Sequence, residues 1–144
     1  MSFHPFSKRF GRQIALSSAL PIYYSEPTGL VRSFLERITF PAMSYSTYQS
    51  VFNGKIDVDV FLTMNAPMQF YKQNYERRFQ EYFAPFRFLN GQIRLIPVCD
   101  TVQVKDYSKY DMASFSEEHK KAVHEAQFPA ALEFAFKIGT EKQL

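Results

Sequence analysis

Two Asn-Gly pairs, Asn53-Gly54 and Asn90-Gly91, each stand between runs of alternating polar and apolar residues, and they restrict this chain more than any other feature. Asn and Gly accept the positive φ that the two central positions of a type I′ turn require, and the twist of that turn matches paired strands. Each pair therefore predicts an antiparallel hairpin. The first joins SYSTYQSVF to KIDVDVFLTM, and the second joins FRFL to QIRLIPV. In the first register Ile56, Val58 and Val60 share a face with Thr47, Gln49 and Val51, while Asp57 and Asp59 point the other way. In the second, Phe86, Phe88, Ile93 and Leu95 face the core. Val102 and Val104 alternate with Thr101, Gln103 and Lys105 and read as a further strand.

Helical spacing fills the gaps between these strands. Apolar residues at 30, 31, 34, 35 and 38 form one stripe that Pro41 ends. A second stripe runs through Met68, Tyr71, Tyr75, Phe79, Tyr82 and Phe83, with Asn65 as its cap, Pro67 near its first turn and Pro85 at its end. Ser114 followed by Glu117 is a capping-box pattern opening a third helix, in which Glu117, Lys121 and Glu125 form a charge ladder. Pro129 is expected to break that helix, and Ala130 to Ile138 to resume it. Strands grouped in hairpins rather than crossover units predict an α+β domain at residues 30–144, with a mainly antiparallel sheet and helices packed on one face. Pro21, Pro27 and Gly29 mark residues 19–29 as an irregular linker. Residues 1–29 together read as an extended basic N-terminal arm.

Charge is where the arm stands out. Lys8, Arg9, Arg12, Arg32 and Arg37, against Glu26 and Glu36, give the first 40 residues the whole of the net charge of +3. The opening stretch is acid-free, contains serine and interleaves Phe, Ile and Leu with its cations. That is the composition of a mitochondrial targeting segment, here expected to be retained, and it equally suits docking on anionic lipid. No run approaches the roughly 20 apolar residues of a membrane span.

Chemistry-bearing motifs are sparse. Five glycines, scattered, leave no glycine-rich phosphate loop, and the single cysteine, Cys99, excludes an internal disulfide. His119 and His124 are five apart rather than the four that places two rings on one helix face, so no metal site is expected. Cys99 has no histidine near it in sequence to act as a base. Asp57 and Asp59 form a carboxylate pair, which solvent-facing strand positions explain as well as acid–base work. The second hairpin sets Arg87 opposite Arg94, a repulsive pairing that calls for an anion. The aspartate pair is the first candidate for that anion and an external ligand the second.

Sixteen Phe and nine Tyr without a Trp exceed the needs of a core this size, and such rings dominate protein–protein contacts. Phe86 and Phe88 alternate with Arg87, so rings and cation face opposite ways, which disfavours nucleic acid as a partner. The first expectation is accordingly a non-catalytic structural or accessory subunit of a multi-protein assembly, without cofactor. Its expected place is mitochondrial, in the matrix or on the inner membrane, within the ATP synthase, the respiratory chain or, after these, the mitochondrial ribosome. Lys8, Arg9, Phe10, Arg12, Tyr23, Tyr24, Arg87 and Arg94 are its expected interaction residues. A structural virion protein of a phage tail or baseplate is one alternative. The other is a small ligand-binding or enzymatic α+β domain, with polar groups converging on a pocket near Asp57, Asp59 or Cys99.

Overall fold

The computed structural model describes residues 15–112 and 115–141. Its centre is the apolar run of β3 (Ile56–Thr63), which lies between β1 (Ala15–Tyr23) and β4 (Asn90–Val98) and is parallel to both. A two-residue strand β2 (Glu26–Pro27) turns back antiparallel on the end of β1, so the four-stranded sheet has the order β2-β1-β3-β4 and is mixed. Residues 15–27, expected in the arm and linker, thus form part of the sheet. Lys8, Arg9, Phe10 and Arg12 lie outside the described residues.

Parallel neighbours need crossovers, and helices supply them. Helix α1 (Gly29–Thr39) leads from β1 towards β3, and α2 (Met68–Asn74) with α3 (Glu76–Phe83) leads from β3 towards β4. Both crossovers step the same way across the sheet, so right-handed connections put all three helices on one face. Leu35, Ile38, Tyr71, Phe79 and Phe83 there pack against Val58, Val60 and Leu62 in one buried cluster. The long helix α4 (Glu117–Glu141) lines cavities with Phe61, Ile96 and Val98, the side chains of the opposite face. Helices therefore cover both faces rather than the expected one. Pro129 lies inside α4, which runs through it unbroken.

Neither Asn-Gly pair makes a hairpin. Residues 84–89 form a 3₁₀ helix instead of a strand, and Asn90, with φ 61°, both ends it and begins β4. The Asn90 side chain donates to the carbonyls of Phe52 and Gly54, at 2.8 and 3.0 Å, tying the two Asn-Gly segments together. Gly91 is needed for close approach: a Cβ there would stand 1.9 Å from the Ile56 carbonyl oxygen. The segment 44–52 is a looped excursion with a lone bridge between Met43 and Ser50, and residues 101–104 join no strand. The coarse reading of helices and one sheet holds. The antiparallel hairpins do not, because positive φ at Asn90 serves a helix exit and Gly91 serves strand-to-strand contact.

The parallel register places Asp59 beside Arg94, and Arg94 Nε donates to Asp59 Oδ1 at 2.6 Å. Asp57 accepts from the Gln92 N–H at 2.8 Å. Arg87 sits on the 3₁₀ helix with its guanidinium over the Phe88 ring. The hydrogen bond to Asp59, more than its charge, raises the pKa of Arg94 above its ordinary value. Asp59 is fully buried while Asp57 is partly exposed. Asp59→Asn is therefore expected to cost about 2–3 kcal/mol, and Asp57→Asn under about 1 kcal/mol. Urea unfolding of the two variants checks the order.

Candidate functional site

All three parallel strands end on one side of the sheet, at Tyr23, Thr63 and Val98. In open sheets of this kind the loops leaving the carboxyl ends part towards the layers above and below, and a crevice opens between them. Here it measures about 620 Å³. Tyr24 and Ser25 border it from the end of β1, Met64 to Pro67 from β3, Asp100 from β4, Phe70 and Tyr75 from α2 and its junction with α3, and Phe115, Ser116, His119 and Lys120 from the start of α4.

Backbone pairing continues past the strands and stiffens this edge. The Met64 N–H donates to Val98 O, the Thr101 N–H to Met64 O, and the Asp100 N–H to Ala66 O, all within 3.0–3.1 Å. Three residues at the rim take left-handed backbone, with φ 49° at Tyr24, 66° at Ser25 and 55° at Asp100. Non-glycine residues hold that conformation at a cost, and such positions gather where loops are shaped for a ligand.

A buried cation joins the loops. Lys120, 4% exposed, stands in the first turns of α4. Its ammonium donates to the Asn65 carbonyl at 2.6 Å and to Asp100 Oδ1 at 2.5 Å, so one side chain pins the β3 loop, the β4 loop and the helix. His119 Nε2 stands 3.7 Å from the other Asp100 oxygen. Ser116 Oγ accepts the His119 N–H at 3.1 Å and caps the helix, the role expected of Ser114, which lies outside the described residues. Across the crevice the Ser25 and Tyr75 hydroxyls share a 2.7 Å hydrogen bond. Tyr75 packs edge-on against Phe70, which makes that wall aromatic. Asn65, expected as a helix cap, caps nothing; Pro67 holds the cap position, and Asn65 Oδ1 is buried without a partner among the described residues.

Of the four expected interaction residues among the described ones, Tyr23, Tyr24, Arg87 and Arg94, only Tyr24 borders the crevice. Tyr23 is exposed at the end of β1, Arg87 lies on its 3₁₀ helix and Arg94 pairs with Asp59. Nothing in the sequence marks Asp100, Lys120, Asn65, Ser25 and Tyr75 as site residues. Asp100 follows Cys99, where the ligand-binding alternative expects convergence, whereas Asp57 and Asp59 face elsewhere. Cys99 itself borders a separate apolar cavity of about 570 Å³ between the sheet and α4. Burial first, then the Asp100 carboxylate, pushes its thiol up to about 11. Alkylation of Cys99 at pH 8 is accordingly expected to run roughly 100-fold slower than that of a free thiol and to accelerate only towards pH 11. Iodoacetamide labelling across pH measures it. Among the described residues no group of His, Cys, Asp and Glu is placed to hold a metal ion, and no helix is long and apolar enough to cross a membrane.

No family model matches the chain, and no curated protein matches it in sequence. Among solved structures it is similar to an NAD(P)H:quinone oxidoreductase from Methanothermobacter marburgensis, with a TM-score of 0.54 and 14% identity, over 70% of this chain and 52% of that one. At that identity the likeness is one of fold. The chain spans about half the length of this neighbour. The expectation of a structural or accessory subunit is corrected here, because the solved structure that shares this fold is an NAD(P)H:quinone oxidoreductase rather than an assembly subunit; whether this chain is catalytic is a separate question. Of the rings that prompted the expectation, Phe79, Phe83, Phe86, Phe88, Tyr71 and Tyr107 are buried, while others, Tyr45, Tyr48, Tyr110 and Phe136 among them, stay exposed. The fold supports the other reading, a small ligand-binding or enzymatic domain.

Proposed function

We propose that this chain is a ligand-binding domain of oxidoreductase type, and that the crevice at the carboxyl ends of β1, β3 and β4 takes the planar ring of NAD(P)H or of a quinone. The observation that carries the reading is the crevice itself. It lies where open parallel sheets bind ligands, has aromatic walls, and places a buried lysine, a carboxylate and an amide along one side. Tyr75 and Tyr24 offer faces for stacking, and Lys120 offers an ammonium to a carbonyl oxygen. The reaction named for the neighbour balances as NAD(P)H, a proton and a quinone giving NAD(P)⁺ and a hydroquinone.

The test is a titration of the full chain with NADPH, NADH and a naphthoquinone. Tyrosine emission serves as the readout, because the chain contains no tryptophan to mask it. Saturable quenching by at least one of the three is expected. Tyr24→Asn, at a fully exposed position that already has positive φ, should weaken it about 3- to 10-fold without moving the melting temperature. Absence of binding by all three would sink the reading. Consumption of NAD(P)H in the presence of the quinone extends it from binding to catalysis.

A further inference from the structure

We propose that the Asn65 side chain selects the ligand of this crevice, and that it selects planar rings carrying a carbonyl beside an N–H. The proposal rests on reading the crevice as a ligand site. The Asn65 backbone is held in place by the hydrogen bond from Lys120 to its carbonyl. Its side chain is not, since Oδ1 is buried and accepts from no described residue. A buried acceptor in that state carries a desolvation penalty, which a ligand's donor removes once the Asn65 side chain turns its oxygen towards the crevice that the residue lines. Next to it Lys120 has three N–H groups, of which two point to Asn65 O and Asp100 Oδ1. The third is taken by no described residue and suits an oxygen acceptor.

An unfilled acceptor and an unfilled donor therefore occupy the same corner. Their complement is a ligand edge that donates once and accepts once. A quinone offers acceptors only and leaves Asn65 unpaired, whereas a carboxamide or a cyclic imide meets both groups. Sites with a polar group to satisfy discriminate against analogues lacking its partner far more sharply than apolar contacts do. Of the two substrates in the neighbour's reaction, only the nicotinamide carries such an edge; a pyrimidinedione carries one as well.

The experiment compares matched ligands on the full chain. NADP⁺ is set against its acetylpyridine analogue, which keeps the carbonyl and lacks the N–H, and UMP against N3-methyl-UMP, which loses the imide N–H. In one of the two pairs the N–H-bearing member is expected to bind about tenfold more tightly, and that pair identifies the source of the edge. Asn65→Ala should bring the pair to within about twofold, with no loss of melting temperature, because it removes an acceptor that holds nothing in the free protein. Equal binding within both pairs overturns the proposal and leaves the ligand site standing. Failure of all four to bind, with NADPH and naphthoquinone failing too, overturns both. Should Asn65→Ala not fold, the comparison on the unaltered chain still decides.

Discussion

Lys120→Met is expected to lower the free energy of unfolding by about 3 kcal/mol, the lower end of what removing one partner of a buried ion pair costs. Methionine matches the length of the lysine stem, so the change tests the ammonium rather than the packing. Without it, Asp100 Oδ1 and the Asn65 carbonyl each lose their donor, and the first turns of α4 lose their attachment to two loops. Asp100 is 18% exposed on its side chain, so some water reaches the orphaned carboxylate, which holds the loss to that lower end. The double variant Lys120→Met, Asp100→Asn should recover part of the deficit, because asparagine tolerates the positive φ of position 100 and no longer leaves a buried carboxylate unpaired, while the Asn65 carbonyl still lacks its donor. Urea unfolding of the three proteins measures this. A single variant within 1 kcal/mol of the unaltered chain would show that the ammonium does not join the loops.

Gly91→Ala is expected to cost at least about 3 kcal/mol, the upper end of the overpacking range, since the added carbon falls 1.9 Å from the Ile56 carbonyl oxygen. That oxygen belongs to β3, the strand buried in the middle of the sheet, and has nowhere to move. Gly54→Ala is the control. Its Cβ would meet only the rim of the Phe52 ring at 2.8 Å, and that half-buried ring can rotate away, so a cost below about 1 kcal/mol is expected. Thermal melts of the pair separate the two glycines of two identical dipeptides. Equal effects would contradict the close β3–β4 approach.

This contrast also explains what was legible in the sequence. The Asn-Gly signal reports that one residue takes positive φ and the next does without a side chain, and at Asn90 and Gly91 both needs are real. It does not report whether the chain then reverses or merely leaves a 3₁₀ helix. Alternation in IDVDVFLT correctly gives a strand but not the direction of its neighbours. The helical stripe at Tyr71, Phe79 and Phe83 is buried as its spacing predicts, although Met68 is exposed and the helix bends at Tyr75. Asp59 and Arg94 do meet, across parallel strands rather than between hairpins. The crevice was less legible because its polar groups are scattered along the chain and joined only by topology. Lys120 lies within a run of charged residues, EEHKK, and nothing local distinguishes the cation that turns inward from those that stay in water.

The parallel ladder has a consequence for how the chain comes to be folded. Ala15 pairs with Asp57 and Ile56 with Asn90, so no central strand has its partner close by in sequence. A hairpin sheet can zip from its turns within microseconds, whereas this ladder forms only after whole crossovers have closed. Docking of α1, α2 and α3 onto the Val58–Leu62 run is therefore expected to accompany the closing of the crossovers rather than to follow a finished sheet. During synthesis that run emerges well ahead of β4, and its exposed apolar side chains are the part of the nascent polypeptide most in need of shelter.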